Sequence, residues 1–265
     1  PSSGREEARR FLPDILKKLE KGGFETSCHA TEGPGDATSA ARYAVEQQFD
    51  VVIAAGGDGT VYEVINGLAE SPHRPMFGVI PLGTSNDLAR ALAIPRQVSK
   101  ACDVIVGRRL KKIDIGRAGD RFFVNIAAGG ILTELTYAVP SKMKTMLGQL
   151  AYYAKGLEKL AFLRPIPLRL ETDNDRFEGE MMLFLVANSN SVGGFEKLAP
   201  QADMADGFFD VLLVEKVSLP DFVRLGTMAL RGEHVNEPKV KFYRSKKLFI
   251  SADEAVPLNL DGELG

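Results

Sequence analysis

Apolar residues recur along the first half of the chain with helical and strand periods in alternation. Residues 5–21 carry apolar side chains at helical spacing and end at a glycine pair. Within residues 50–55, the run from Val51 to Ala55 is continuously apolar, typical of a strand buried on both faces. The pattern predicts helices at 5–21, 36–48, 60–69 and 87–93, and strands at 24–30, 50–55 and 77–81. Strands separated by helices indicate βαβ units and a parallel, doubly wound sheet.

The pattern changes near residue 112, where short strand-like runs separated by turn residues begin. A Gly119-Asp120 pair between two such runs predicts a hairpin. The runs lie at 113–117, 122–127, 168–172, 177–187, 208–214, 239–242, 247–251 and 256–260. We therefore expect an α/β domain over residues 1–116 and a second domain over residues 117–265, an antiparallel β-sandwich with a helical insert.

Composition narrows the class of protein without naming a function. The chain has 265 residues and a formal net charge of −2, so no overall positive charge points to nucleic acid. Two cysteines and three histidines lack metal-ligand spacing and favour a reduced, cytoplasmic protein without a zinc site. No apolar run is long enough to span a bilayer.

The first candidate site is the turn Gly56-Gly57-Asp58-Gly59-Thr60, between a predicted strand and a predicted helix. Glycines let a backbone approach a ligand closely, and the N–H groups at a helix N-terminus attract phosphate oxygens. The simpler interpretation is a tight turn capped by Thr60, which explains one or two of the glycines but not three with an acid between them. Because an acid repels phosphate unless a cation intervenes, Asp58 indicates magnesium.

The second candidate site is the turn Pro81-Leu82-Gly83-Thr84-Ser85-Asn86-Asp87, after the next predicted strand. In a doubly wound sheet, ligands bind outside the carboxyl ends of the strands, so the two turns can form one site. Either Asn86 or Asp87 could instead be a simple helix N-cap.

Two further segments have ordinary explanations when each is taken alone. Pro1-Ser2-Ser3-Gly4-Arg5 could be a frayed terminus, and Asp261-Gly262-Glu263 could be a surface turn after an alternating strand.

Together, these four segments in this order resemble the catalytic family of diacylglycerol and sphingosine kinases. That family shows a turn like Asn-Pro-x-Ser-Gly, then Gly-Gly-Asp-Gly-Thr, Leu-Gly-Thr-x-Asn-Asp and a late Asp-Gly-Glu. The segments 30–37, 113–116, 133–155 and 192–195 are also similar, so the likeness covers essentially the whole chain. The resemblance implies a phosphofructokinase-like nucleotide-binding domain and a β domain that contributes the catalytic base.

The resemblance also implies specific roles for residues at matching positions. Glu263 would be the general base, and Asp58 and Asp87 the acidic pair that works with it and with a catalytic Mg²⁺. Asp114 would help to position these acids. The nucleotide site would comprise Pro1, Ser2, Ser3, Gly4, Thr31, Gly57, Asp58, Gly59, Thr60, Val61, Tyr62, Glu63 and Thr84. A structural magnesium would be held by the Asp206 carboxylate and the backbone carbonyls of Asp203 and Phe208, although without the resemblance this run is merely a hairpin turn.

The family pattern differs from this sequence at both ends. It has a strand and an asparagine before the position of Pro1, and further strands after that of Gly265. We expect missing sequence rather than missing elements.

A basic amphipathic stretch suggests how a lipid could be met. Residues 142–169 carry six lysines and arginines against one glutamate, with apolar residues at helical spacing. Such a helix could lie on an anionic membrane, at its inner face, with Arg5, Arg9 and Arg10 adding to the basic surface. It could equally pack on the β domain with its lysines in water.

The expected activity is ATP-dependent phosphorylation of the free hydroxyl of diacylglycerol to give phosphatidic acid. Phosphatidylglycerol, ceramide or a sphingoid base remain alternative acceptors, and a homodimer is plausible for the family. A nicotinamide-dinucleotide kinase would share the Gly-Gly-Asp-Gly turn, but the second turn and the late Asp-Gly-Glu favour a lipid kinase. A catalytically silent nucleotide- or lipid-binding regulator is the third interpretation; the presence of Asp58, Asp87 and Glu263 weighs against it.

Overall fold

The computed structural model describes residues 2–130, 165–190 and 197–264. The chain divides into two compact units, Pro1–Val124 and Asn125–Gly265. The predicted helical insert, the basic residues 142–164 and Pro1 of the predicted nucleotide site lie outside the described residues. In the described part of the chain, no helix is both long and apolar enough to cross a bilayer.

The first unit is an α/β structure around two parallel strands. Its elements are α1 (Ser2–Lys21), α2 (Asp36–Glu46), β1 (Val51–Gly56), α3 (Asp58–Leu68), β2 (Met76–Pro81), α4 (Asp87–Ala91), α5 (Val98–Val106), β3 (Gly116–Ala118) and β4 (Arg121–Phe123). The strands β1 and β2 pair in parallel from Val51↔Met76 to Gly56↔Pro81, so they end at the same edge. The antiparallel pair β3–β4 confirms the hairpin predicted around Gly119-Asp120.

A core cluster joins the helices of this unit to its sheet. Apolar faces of α1 and α5 meet the ends of β1 and β2, as their helical spacing requires. The buried members are Ile15, Leu19, Ile80, Leu82, Ala101 and Cys102. This packing explains why Cys102 is buried, and burial raises the pKa of its thiol.

The strand predicted at residues 24–30 is wrong, because that segment has no regular secondary structure. A strand requires a hydrogen-bonded neighbour, and within the described residues β1 pairs only with β2. The apolar and β-branched residues of the segment give it a strand-like composition, but composition does not supply a partner.

The second unit is an antiparallel β structure, as expected. Its elements are β5 (Ile126–Gly130), β6 (Ile166–Thr172), β7 (Arg176–Ala187), β8 (Phe209–Glu215), α6 (Leu219–Ala229), a 3-10 helix (His234–Asn236), β9 (Val240–Ser245), β10 (Leu248–Ala252), β11 (Leu258–Leu260) and β12 (Glu263–Leu264). The described strands follow the order β10-β6-β7-β5-β11-β12, with β8 between β7 and β9. Arg169, counted with the basic stretch in the sequence, lies in β6 and pairs with Glu178.

The long strand β7 links two sets of strands. Its first half pairs with β6 and its second half with β8, with a register shift between Met181 and Leu183. Because residues 181–187 are buried, this half of the strand reads as a continuous apolar run. Leu225 of α6 packs against the same core.

His234 is buried in the second unit and provides a test of acid stability. Its Nε2 lies 2.9 Å from the Leu198 carbonyl, and Nδ1 has no hydrogen-bond partner in the described residues. Burial lowers the pKa of His234. The stability that it contributes is therefore present above its ordinary pKa of about 6.5 and lost as the pH falls through the lower folded pKa.

We expect the free energy of urea unfolding to fall between pH 7.5 and 5.5, and to fall less in His234→Gln. His73→Gln, a change of an exposed histidine, is measured beside it as a control. Equal slopes in wild type and His234→Gln would contradict the assignment.

Candidate active site

The two glycine-rich turns lie against each other at the carboxyl ends of β1 and β2. The Leu82 amide donates to the Gly56 carbonyl at 2.9 Å, which carries the parallel pairing up to the turns. Beyond this point the backbones touch, since a Cβ built on Gly83 would lie 2.5 Å from the Gly57 Cα. The structure therefore brings together the two turns that the sequence placed at neighbouring strand ends.

The contact between the turns makes Gly83→Ala a sharp test. The new methyl group would meet the Gly57 backbone, which cannot rotate away as a side chain could. We expect the free energy of unfolding to fall by roughly 1–3 kcal/mol, together with weaker nucleotide binding. Gly226→Ala is the control, because a Cβ there meets no atom within 4 Å. Wild-type melting and nucleotide binding in Gly83→Ala would show that the turns do not touch in solution.

Asp58 joins the turns through its side chain. Its Oδ2 accepts the Asn86 N–H at 2.9 Å and its Oδ1 accepts the Asp87 N–H at 2.7 Å. These two amides open the short helix α4, so the carboxylate of the first turn caps the helix of the second. The sequence assigned Asp58 to magnesium, and its role as a bridge between the turns was not predicted.

Asn86 is the functional-site residue that sequence reasoning underrated. Its side chain is buried; Oδ1 accepts the Gly83 N–H at 2.8 Å and Nδ2 donates to the Gly83 carbonyl at 2.6 Å. The backbone of Asn86 has a φ of 52°, in the left-handed region that asparagine tolerates better than most residues. An asparagine before an aspartate at the end of a glycine turn was the available signal, but it was equally consistent with a plain N-cap.

Burial and the neighbouring negative charge both raise the pKa of Asp58, and the hydrogen bonds that it accepts oppose them. Burial raises the pKa of Asp58 and the nearby Asp87 carboxylate raises it further, while the N–H groups of Asp87 and Asn86 lower it. A positive ion near this pair would relieve the repulsion. Each Asp58 oxygen accepts one N–H. Because a carboxylate has about four lone-pair sites, the Asp58 carboxylate can still contact a magnesium ion, directly or through water.

Two arginines hold the second turn from outside. Arg96 donates to the Thr84 carbonyl at 3.0 Å, and Arg90 donates to the Ser85 carbonyl at 3.2 Å. Both bring positive charge to a turn whose Thr84 is exposed. Arg96 also lines a cleft of about 960 Å³ between α1, α5 and the end of β2, together with Gly83.

Other residues of the predicted nucleotide site make structural contacts within the first unit. Glu63 accepts the Ala37 N–H at 3.1 Å through Oε2 and the Thr38 hydroxyl at 2.9 Å through its carbonyl, so it anchors the start of α2. The side chains of Val61 and Tyr62 are buried in α3, and the Val61 N–H donates to the Gly57 carbonyl at 3.1 Å.

The remaining members of that predicted set are less enclosed. Thr31 is half-buried, in a loop tied to Asp36 by the Glu32 N–H at 2.8 Å. Gly57, Gly59 and Thr60 are half-buried at the first turn. Ser2, Ser3 and Gly4 form the first turn of α1, which begins earlier than the predicted position 5.

The late Asp-Gly-Glu turn is held by hydrogen bonds within the second unit. Asp261 Oδ1 accepts the N–H groups of Asn125 and Ile126, both at 2.8 Å, and the Gly262 N–H donates to Asn259 Oδ1 at 2.8 Å. Asp261 and Gly262 have φ values of 52° and 97°. Asp261 therefore positions the turn, and Glu263 follows on β12 with an exposed side chain. Its approach to Asp58 and Asp87 stays a prediction.

The turn at residues 203–208 is held by its own carboxylates. Asp203 Oδ1 accepts the Ala205 N–H at 3.1 Å, and Asp206 Oδ1 accepts the Phe208 N–H at 2.8 Å. The other Asp206 oxygen pairs with the Arg244 guanidinium. In the described part of the chain, no three His, Cys, Asp or Glu side chains gather into a metal-ligating group. A magnesium ion here would thus use one carboxylate with carbonyl and water oxygens, a donor set that magnesium accepts.

Comparison with known proteins gives the family. Residues 1–118 match the family described as diacylglycerol kinase catalytic domain, and residues 130–265 match the YegS C-terminal NAD kinase beta sandwich-like domain. A crystal structure of a putative diacylglycerol kinase from Bacillus anthracis str. Sterne superposes with a TM-score of 0.81 at 26% identity, covering 95% of this chain and 85% of that one. An ATP complex of an NAD kinase from Archaeoglobus fulgidus, 14% identical with a TM-score of 0.52 over 96% of this chain and 80% of that one, shares the fold.

Curated relatives agree over the full length of the chain. A diacylglycerol kinase of Bacillus subtilis (strain 168) is 53% identical over 266 residues, covering 100% of this chain and 88% of that relative. A diacylglycerol kinase of Staphylococcus aureus (strain MRSA252) is 49% identical over 265 residues, covering 100% of this chain and 84% of that relative. With its glycine turns joined by Asp58 and with both family domains matched, the chain belongs to the diacylglycerol kinase family of lipid kinases.

Proposed function

We propose that the protein transfers the terminal phosphoryl group of ATP to the free hydroxyl of diacylglycerol, giving phosphatidic acid. The observation that carries this proposal is the joined pair of glycine turns, Gly57 against Gly83, with the Asp58 carboxylate bonded to the start of α4. Close backbone approach at the ends of parallel strands, and the N–H groups at a helix N-terminus, suit a nucleotide polyphosphate.

The nucleotide would lie along these turns, beside Thr31 and the start of α1. Backbone N–H groups of Gly57, Gly59 and Thr60 would face phosphate oxygens, and Thr84 is exposed beside them. Magnesium, when bound with the nucleotide, supplies positive charge between the phosphates, and Asp58 and Asp87 are the carboxylates that would hold it. Arg90 and Arg96 keep the second turn in place.

Glu263 would act as the general base. A lipid hydroxyl is a weak nucleophile at neutral pH, so a carboxylate within hydrogen-bond reach takes its proton as the oxygen attacks phosphorus. The Asp261 anchor and the Asn259 contact to Gly262 hold the turn before Glu263 in one conformation. In this proposal residues 1–116 bind the nucleotide, and residues 117–265 bind the lipid and contribute the base.

A panel of acceptors tests the proposal. Purified protein would be given ATP, Mg²⁺ and, in separate reactions, diacylglycerol, phosphatidylglycerol, ceramide, a sphingoid base and a nicotinamide dinucleotide, with products identified by mass. We expect phosphatidic acid from diacylglycerol at the highest rate. A phosphorylated dinucleotide alone would favour the nicotinamide-dinucleotide kinase, and nucleotide binding without any product would favour a silent regulator.

The lipid acceptor further implies peripheral contact with an anionic membrane, through the basic stretch that begins at residue 142. Flotation with phosphatidylglycerol-containing vesicles at 50 and 500 mM salt tests this part separately, because electrostatic binding weakens as salt screens it. Binding that is unchanged at high salt would count against it. A homodimer is part of the same proposal, and sedimentation at several protein concentrations would detect it.

A further inference from the structure

Three hydrogen bonds tie the Asp-Gly-Glu turn to the start of β5. Asp261 Oδ1 accepts the N–H groups of Asn125 and Ile126, both at 2.8 Å, and the Asp261 N–H donates to the Ile126 carbonyl at 3.1 Å. The side chain and the backbone of Asp261 therefore both bind the same two residues. A shift of these first residues of β5 would move the turn that precedes Glu263.

The start of β5 is in turn held by the residues that follow β7. The Asn125 carbonyl accepts the Asn188 N–H at 2.8 Å and the Ser189 N–H at 3.3 Å. The regular pairing of the two strands ends at Ile126↔Ala187, so these bonds extend it by one residue. The Ser189 hydroxyl donates to Asn125 Oδ1 at 3.1 Å, which joins the same two segments through their side chains.

This side-chain pair is buried in apolar surroundings. Asn125 is 4% exposed and interrupts the apolar run 122–128, while Ser189 is fully buried just after the apolar end of β7. A buried polar side chain costs free energy unless it is hydrogen-bonded, and apolar side chains of similar size would fill the same space without that cost. The polar pair adds direction, because a hydrogen bond is satisfied only in a narrow geometry. Its chemistry therefore favours a role in position over a role in stability.

Asn125 is the residue at which the two sets of bonds meet. Its N–H binds the Asp-Gly-Glu turn, and its carbonyl and side chain bind the residues after β7. Releasing its side chain from Ser189 leaves the backbone of Asn125 less constrained, and the turn moves with that backbone because Asp261 binds it. A general base must lie within hydrogen-bond reach of the proton it removes, and a displacement of about 1 Å can cost roughly 10²-fold in rate.

We propose that Asn125 and Ser189 are positioning residues for the base, and that their buried pair determines where the Asp-Gly-Glu turn holds Glu263. Both act through Asp261. The inference rests on the proposed function, since the pair has this role only if Glu263 is the base. All of these residues belong to the second unit, so nucleotide binding by the first unit should not depend on them.

Ser189→Ala tests the pair with a small change. We would measure kcat for phosphorylation of diacylglycerol at saturating ATP, together with the KM for ATP. We expect kcat to fall by about tenfold and the KM for ATP to change by less than about twofold, since the base is displaced and the nucleotide-binding turns keep their bonds. Asn125→Ala should give the same pattern, and the double variant should be no slower than Asn125→Ala, because both changes break one pair.

Ser245→Ala is the matched control for a lost buried hydroxyl. Ser245 is also fully buried in the second unit, where its hydroxyl lies 2.9 Å from Asp173 Oδ2 and 2.6 Å from the Lys247 carbonyl. Its removal should lower the melting temperature about as much as Ser189→Ala does and leave kcat at the wild-type value. An equal fall of kcat in Ser245→Ala would overturn the proposal, because lost stability would then explain both results.

The Glu263→Gln background separates positioning from general damage. If the pair acts through the base, adding Ser189→Ala to Glu263→Gln should lower the residual rate by less than about twofold. A further fall of about tenfold there, or a wild-type kcat in both Ser189→Ala and Asn125→Ala, overturns the inference and leaves the base in place. Wild-type turnover in Glu263→Gln alone is a different result, which would remove the base from the proposed function and the inference with it.

Discussion

Glu263→Gln is expected to lower kcat for phosphorylation of the lipid hydroxyl by about 10³-fold or more. The amide cannot accept the proton that leaves the hydroxyl, and general-base catalysis is worth roughly 10²–10⁴-fold. Because Glu263 is exposed and the turn before it is held by Asp261 and Asn259, the substitution should leave the melting temperature unchanged. Activity is read as phosphatidic acid formed, and nucleotide affinity is measured separately.

The control for this change is Glu254→Gln. Glu254 is also exposed, in the turn between β10 and β11, and has no proposed part in the chemistry. Its variant should work at the wild-type rate. Near-normal turnover in Glu263→Gln would remove the general-base role, and a loss confined to nucleotide affinity would reassign Glu263 to ATP binding.

Asp58→Ala is expected to damage both the fold of the site and its activity. The substitution leaves the N–H groups of Asn86 and Asp87 without their acceptor, and each buried unsatisfied donor costs about 1–3 kcal/mol. With the second turn released from the first, phosphate alignment is lost as well. We expect activity to fall by roughly 10²-fold or more, the order that a single misaligned group can cause.

Asp58→Asn separates the two roles of this carboxylate. The amide oxygen can still accept one N–H, but its NH₂ group faces the other and the negative charge is gone. Stability should therefore fall less than in Asp58→Ala, while activity falls about as far if the charge serves magnesium. Asp50→Asn, an exposed change just before β1, is the control and should alter neither. Unchanged unfolding in Asp58→Ala would show that the bridge between the turns is unimportant.

Most of the predicted elements could be read from local pattern, and the wrongly predicted strand has a physical cause. The helices α5 (Val98–Val106) and α6 (Leu219–Ala229) were missed although both segments are amphipathic at helical spacing, and although Ser218 caps α6 by accepting the Asp221 N–H. The strand at 24–30 was wrong because pairing depends on a neighbour distant in sequence. The predicted strand 208–214 matches β8 to within one residue at each end, since an apolar run directly after an Asp-Gly turn indicates where the strand begins.

The sequence by itself determined the two kinds of domain, the glycine turns and the family, because these depend on spacing along the chain. Only the tertiary structure decided what the polar groups do. The Asp58 carboxylate accepts a hydrogen bond from the start of α4, and the Asn86 side chain forms a hydrogen bond with Gly83. Asp261 fixes the late turn, and Arg244 pairs with Asp206. The physical reason is that a carboxylate in the sequence shows that a charge is present but does not show which group it pairs with. The partner is chosen by folding, which brings together groups as far apart in the chain as Asn125 and Asp261.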